Sequence, residues 1–180
     1  MQEALKWLVD NNLSLDAVAV NSGPGSYTGL RIGVSLAKGI CYAKNVPLIA
    51  VNGLHAMAQV VLLHNQEIDL VFSMLDARRD EVFMKRVSRK GQSTEIEAVV
   101  LTENQFVEKW PNVAFVGNSN VKAQNLLKVE VKVQVEGPFA NQLCLDASNR
   151  FRNQEFEDVA YFEPFYLKDF VPGISKKFAV

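Results

Sequence analysis

The residues best suited to chemistry lie in one turn and one hairpin. The run Asn21-Ser22-Gly23-Pro24-Gly25-Ser26-Tyr27-Thr28-Gly29 gathers glycines, serines and a threonine ahead of a long helical stretch. A turn of this kind aims the unpaired N–H groups of the helix start, and the positive end of its dipole, into one small space. That space suits a phosphate or a carboxylate, and the same residues also serve simply to cap a helix tightly. Gly23, Gly25, Ser26, Thr28 and Gly29 are the candidate phosphate-turn residues. The spacing matches neither common nucleotide loop. No Gly-Lys-Ser/Thr follows Gly23 or Gly25, and Thr28 stands where G-x-G-x-x-G has its last glycine.

The hairpin holds Asp76, Arg78, Arg79, Asp80 and Glu81. Paired carboxylates can exchange protons with a substrate, and the same cluster equally describes a solvated turn with local ion pairs. His55 and His64 are the only histidines, and nine residues along one helix puts them on opposite faces, where they cannot share a metal. Cys41 and Cys144 are far apart in apolar helical patterns and read as buried, reduced thiols. Ser22, Ser26 and Thr28 lack a His–Asp partner in the sequence. No catalytic residue and no metal ligand is assigned.

The elements that must position these residues follow from periodicity. Residues 1–12 read as an amphipathic helix with Ala4, Leu5, Leu8 and Val9 on one face. Ala17–Val20 is a short strand leading into the glycine turn. The helix that follows runs to Lys44 and is unusual. Arg31, Ser35, Lys38 and Tyr42 form one narrow stripe; Leu30, Val34, Ala37 and Cys41 flank it on one side, and Ile32, Leu36, Gly39 and Ala43 on the other. More than half its circumference is apolar or small, so it wants neighbours on two sides, either within its own domain or in a partner.

Val46–Val51 reads as a strand, and Asn52 caps a helix from Gly53 to about Gln66 with Leu54, Met57, Ala58, Val61 and Leu62 inward. Asp69–Asp76 and Glu81–Ser88 form a hairpin whose buried face the alternation does not decide. Strands are expected over Glu95–Leu101, Val113–Val116 and Val129–Val135. Helices are expected after Thr102, from Asn120 to Leu127 and over Pro138–Phe151, followed by an extended aromatic segment from Val159 to Phe170. The class is α/β, divided into 1–67, 68–170 and a tail, 171–180.

At 180 residues with net charge −1, the chain can bury a real core and carries no general electrostatic footprint for nucleic acid. It has no signal peptide and no spanning segment, and reads as cytoplasmic with no membrane role.

The glycine signature Gly23–Gly33, with Pro47-Leu48-Ile49-Ala50-Val51, Leu75–Phe83, Phe115-Val116-Gly117-Asn118 and Glu163–Lys168, resembles the TsaB family, also called YeaZ. The resemblance implies a two-lobe actin/sugar-kinase/Hsp70-like (ribonuclease H-like) fold. It implies a non-catalytic subunit that binds and activates a TsaD-like paralogue, which transfers threonylcarbamoyl to adenosine 37 of tRNA. A TsaE-like ATPase joins the assembly, a homodimer is expected when the chain is alone, and tRNA is met only through the complex. No cofactor is expected for this chain; only the complex leaves room for ATP or ADP. The family places its subunit contact on first-lobe helices, which gives Leu30, Arg31, Val34, Ala37, Lys38 and Cys41 as interface candidates. Family members open with further strands and an Asp-Thr-Ser motif, so the first strands of the first lobe are expected to be missing here, as in a truncated piece. Two alternatives remain: a glycoprotease-like (M22 peptidase-like) hydrolase, which the family's older label suggests and which needs a metal or nucleophile–base pair, and a kinase-like nucleotide binder on the same fold, which needs both phosphate turns.

Overall fold

A computed structural model of the chain describes residues 2–102, 112–119, 122–123, 137 and 139–167. Helix α1 (Gln2–Asp10) leads into strand β1 (Val18–Gly23), helix α2 (Tyr27–Lys44), strand β2 (Leu48–Asn52) and helix α3 (Gly53–His64). β1 and β2 pair in parallel, Val18 opposite Leu48 and Val20 opposite Ala50, with α2 as the crossover. Both ends of α2 are fixed by local chemistry. The Ser26 side chain accepts the Gly29 N–H, and Asn45 takes the left-handed conformation at φ 54 so that its N–H reaches the Cys41 carbonyl. Asn52 caps α3 in the same way, accepting from His55 N–H at 2.9 Å.

The second sheet has the order β5-β4-β3-β6, built from β3 (Leu70–Asp76), β4 (Glu81–Ser88), β5 (Glu97–Val100) and β6 (Val113–Val116). β3 and β4 form the expected antiparallel hairpin, and β6 joins β3 in parallel. Both hairpin faces are buried. Val71, Leu75, Phe83 and Val87 pack with Leu54, Met57, Ala58 and Val61 of α3. Phe72, Met74, Val82 and Met84 pack on the other face with Phe115, Leu101 and Ala123. This is why period-two alternation could not pick a face: both are apolar because both are covered. β6 ends at Val116, and at Gly117 just beyond it, where φ is +115, an added Cβ would run into the Met74 carbonyl oxygen. Only glycine lets the chain turn off the sheet so close to β3.

The boundary placed near residue 67 separates the two sheets in sequence, but the chain crosses back over it. Helix α4 (Ala140–Arg152) packs on the first sheet, where Leu143 and Ala147 meet Ile49, Val51 and Ala56. α2 covers the opposite face, with Ala37 and Cys41 against Leu48. Beyond α4, Glu157 N–H donates to the Leu48 carbonyl, Val159 and Phe162 join the α2 cluster, and Phe165 N–H donates to the Ser22 carbonyl at 2.7 Å. Leu167 then packs against the second core. The expected helices after Thr102 and over Asn120–Leu127, the strand Val129–Val135 and the tail fall wholly or largely outside the described residues. Of the two thiols, Cys41 is buried but Cys144 is exposed, contrary to its expected burial, because α4 turns that side to solvent.

Candidate functional site

The glycine turn is closed by its own chain. The Asn21 side-chain oxygen accepts from Gly23 N–H at 3.0 Å and from Gly53 N–H at 3.1 Å. The Asn52 amide donates to the Gly23 carbonyl at 3.3 Å. Ser26 engages Gly29 N–H with its hydroxyl and Leu30 N–H with its carbonyl. Gly23 is buried at φ +109, and a Cβ there would lie 2.7 Å from the Phe165 carbonyl oxygen. Three of the turn's N–H groups, at Gly23, Gly29 and Leu30, are therefore spent on internal bonds. Gly25, Ser26, Thr28 and Gly29 lie at the surface beside them, Gly25 partly covered.

The α2 residues expected to face a partner divide by burial. Leu30, Val34, Ala37 and Cys41 are all buried, at 8%, 4%, 5% and 2% exposure, the last two packed on β2. They are core and offer nothing to a second polypeptide. Sequence could not separate the two apolar flanks of α2, and the β1–β2 sheet took one of them. The open flank is Ile32 at 64% and Leu36 at 45% exposure, with exposed Gly39 and Ala43 on the same line. A Cβ on Gly39 would meet nothing within 4 Å, so a foreign backbone can approach closely there. Tyr42, 86% exposed, stands beside this stripe. α1 adds apolar surface of its own: none of its residues is buried, and Trp7 is 57% exposed.

Arg31 and Lys38 line one small hollow with Ser35, Glu163 and Tyr166. Arg31 stacks over the Tyr27 ring at 4.1 Å, and its Nε donates to the Tyr166 hydroxyl at 3.4 Å. That bond, with the nearby phenols, raises an already high guanidinium pKa. Lys38 is a structural tie, its Nζ donating to the carbonyls of Ala160 at 3.0 Å and Phe162 at 2.9 Å. The role of Lys38 was missed because its partners lie more than a hundred residues away.

A polar cleft of about 440 Å³ lies between the lobes, lined by Ser22, Asn52, His55, Lys85, Glu95, Asp146, Arg150 and Phe165 among others. Burial pushes the His55 pKa down, against a smaller opposing pull from Asp146. One ring nitrogen meets the Gln59 amide at 2.8 Å, while His55 Nδ1 and Gln59 Oε1 are buried without a partner among the described residues. At the hairpin, Lys122 pairs with Asp76 at 2.9 Å and holds that carboxyl below the ordinary carboxylate range. Among the described residues no three His, Cys, Asp or Glu side chains gather as a metal site would need. None of the described helices is long and apolar enough to cross a membrane.

A two-lobed α/β chain with an internally bonded glycine turn and an open helix flank has relatives among known proteins. The family model described as TsaD, tRNA N6-adenosine threonylcarbamoyltransferase, matches residues 1–171. The tRNA threonylcarbamoyladenosine biosynthesis protein TsaB of Escherichia coli is 30% identical over 169 residues, covering 86% of this chain and 71% of that one. The Haemophilus influenzae protein of the same name is 40% identical over 77 residues, covering 42% of this chain. That alignment spans 32% of the Haemophilus influenzae protein, and the one to the Bacillus subtilis protein of the same name spans 40% of it. YeaZ from Pseudomonas aeruginosa superimposes with a TM-score of 0.72 at 22% identity, covering 89% of this chain and 79% of that one. The fold is thus the actin/sugar-kinase/Hsp70-like one. Within it, the chain belongs to the TsaB (YeaZ) family, whose members share their fold with TsaD.

Proposed function

We propose that this chain is a non-catalytic subunit that binds and activates a TsaD-like enzyme for threonylcarbamoyl transfer to adenosine 37 of tRNA. The observation that carries the reading is the bare flank of α2, Ile32, Leu36, Gly39 and Ala43, on a helix whose other flank is fully used in the core. Apolar side chains left in a line beside a glycine are surface prepared for another polypeptide. The occupant is the TsaD-like paralogue, a second copy takes the same face when the chain is alone, and a TsaE-like ATPase joins the assembly. The chain carries no cofactor of its own, and ATP or ADP enters only in the complex. The internal bonding of Gly23, Gly29 and Leu30 N–H supports that part of the reading. The test is co-purification with a TsaD-like subunit and assay of threonylcarbamoyl transfer with and without this chain. Transfer that proceeds equally well without it, or turnover by this chain alone, overturns the proposal.

A further inference from the structure

The turn joining β3 to β4 carries two consecutive arginines in the left-handed region, Arg78 at φ 70 and Arg79 at φ 51. That region is costly for any residue bearing a Cβ, and tight hairpins ordinarily fill it with glycine or asparagine. The turn is held there from several sides. Arg78 N–H donates to Asp76 Oδ1 at 2.8 Å, and Asp76 N–H donates to the Asn118 side chain at 2.8 Å. Lys122 Nζ donates to Asp76 Oδ1 and to the carbonyls of Arg79 and Glu81. Leu101 N–H donates to the Asp80 carbonyl at 3.0 Å. Three residues from outside the hairpin, Leu101, Asn118 and Lys122, therefore brace one turn, and what it presents is two exposed guanidinium groups, neither paired with a carboxylate among the described residues. A backbone held in an unfavourable conformation by so many bonds points to use of the side chains it displays.

The chemistry of the display is narrow. Guanidinium forks grip planar carboxylate or tetrahedral phosphate oxygens in pairs. A protein partner would want an apolar centre within the contact, whereas phosphate contacts need none. The tip offers no large apolar side chain: it is Arg78, Arg79 and Asp80, all exposed, beside half-buried Ala77. We propose that Arg78 and Arg79 contact the phosphodiester backbone of the RNA that the assembled complex modifies. This rests on the partner-subunit reading given above, and it makes this chain a point anchor for RNA rather than a broad basic surface, in keeping with its net charge of −1.

The experiment measures binding of an unmodified tRNA transcript to this chain together with its TsaD-like partner across a salt series, with wild type and the Arg78→Gly/Arg79→Gly double variant. Glycine suits both backbone positions, so the variant is expected to melt no lower than wild type. Each phosphate contact contributes about 0.7 to 0.9 to the slope of log affinity against log salt. Loss of both lowers that slope by roughly 1.5 and weakens binding at least about tenfold near 0.1 M salt. Capture of the partner subunit is expected to stay unchanged. Unaltered RNA affinity and slope in the variant, or failure of the wild-type assembly to bind the transcript, overturns the inference. Loss of partner capture with RNA binding retained overturns it too and reassigns the arginines to a protein contact. If wild type captures no partner, the partner reading fails separately, and the same comparison on the chain alone, in a low-salt series starting at about 50 mM, decides the arginines: equal affinities and slopes there refute them.

Discussion

Ala37 and Leu36 are neighbours on α2, yet they face opposite fates under the same substitution. Leu36 is 45% and Ile32 64% exposed. Fully burying such a side chain is worth about 1.5 to 3 kcal/mol, so covering what remains open returns about 1 kcal/mol at Leu36 and about 1 to 2 kcal/mol at Ile32. Together these amount to roughly 30- to 150-fold in the dissociation constant. Leu36→Glu forfeits its share and adds a carboxylate that the interface would have to desolvate, so pairing is expected to fall below detection at micromolar concentration. The substitution is at the surface, and the melting temperature should stay within about 2 °C of wild type.

Ala37→Glu is the contrast. Ala37 is 5% exposed and packs with Cys41 and Leu48. An unpaired charge there costs about 3 to 5 kcal/mol, and the added bulk about 1 to 3 more. Against a typical total of 5 to 15 kcal/mol, this leaves the chain marginal or unfolded. Val34, 4% exposed, behaves the same way with arginine. Light scattering and size exclusion report pairing, and circular dichroism melts report folding. A Leu36→Glu chain that pairs like wild type, or an Ala37→Glu chain that is well folded but unpaired, would refute the assignment of the two flanks.

Gly117→Ala should lower stability by about 3 kcal/mol or more, read as a fall in melting temperature, because the new methyl meets the Met74 carbonyl at a positive φ. Ser26→Ala removes the α2 cap and should cost about 1 kcal/mol, with Ser26→Gly costing less, by urea midpoints. Burial lowers the folded-state pKa of His55, so below about pH 6.5 the unfolded chain binds the proton first. Stability should therefore fall as pH drops below that point and level off once the folded form is protonated as well. His55→Gln should flatten this dependence in denaturation series between about pH 7.5 and 5, and an unchanged slope would show that His55 is not its source.

Element types were legible wherever a cap or a turn residue marked the end. Ser26, Asn52 and the Pro47 strand start put α2, β2 and α3 within a few residues of their observed limits. The glycine signature identified the family because its residues do a specific job: Gly23 admits the Phe165 carbonyl, and Ser26 starts the helix. What sequence could not supply was which of two equally greasy flanks the sheet would cover. Helical spacing alone treats Leu30, Val34, Ala37 and Cys41 and the set Ile32, Leu36, Gly39 and Ala43 alike, and only the sheet's position buries the first and leaves the second open. The ties of Lys38 to Ala160 and Phe162, and of Lys122 to the hairpin, depend on distant chain segments that periodicity does not relate. The hairpin arginines were visible as residues, while their backbone conformation was not.

The return of α4 and residues 157–165 to the first sheet has a consequence during synthesis. While the ribosome is still making the middle of the chain, β1 and β2 have emerged but lack the helix that seals one of their faces. That greasy face stays unsealed until residues near 143 to 165 leave the exit tunnel. At ordinary elongation rates of about 5 to 20 residues per second, the exposure lasts several seconds. The second sheet's β3–β4 hairpin, whose strands are neighbours in sequence, needs no such wait and can form first. The half translated earlier thus waits longest for its covering helix, and nascent-chain chaperones have their longest opportunity at β1 and β2.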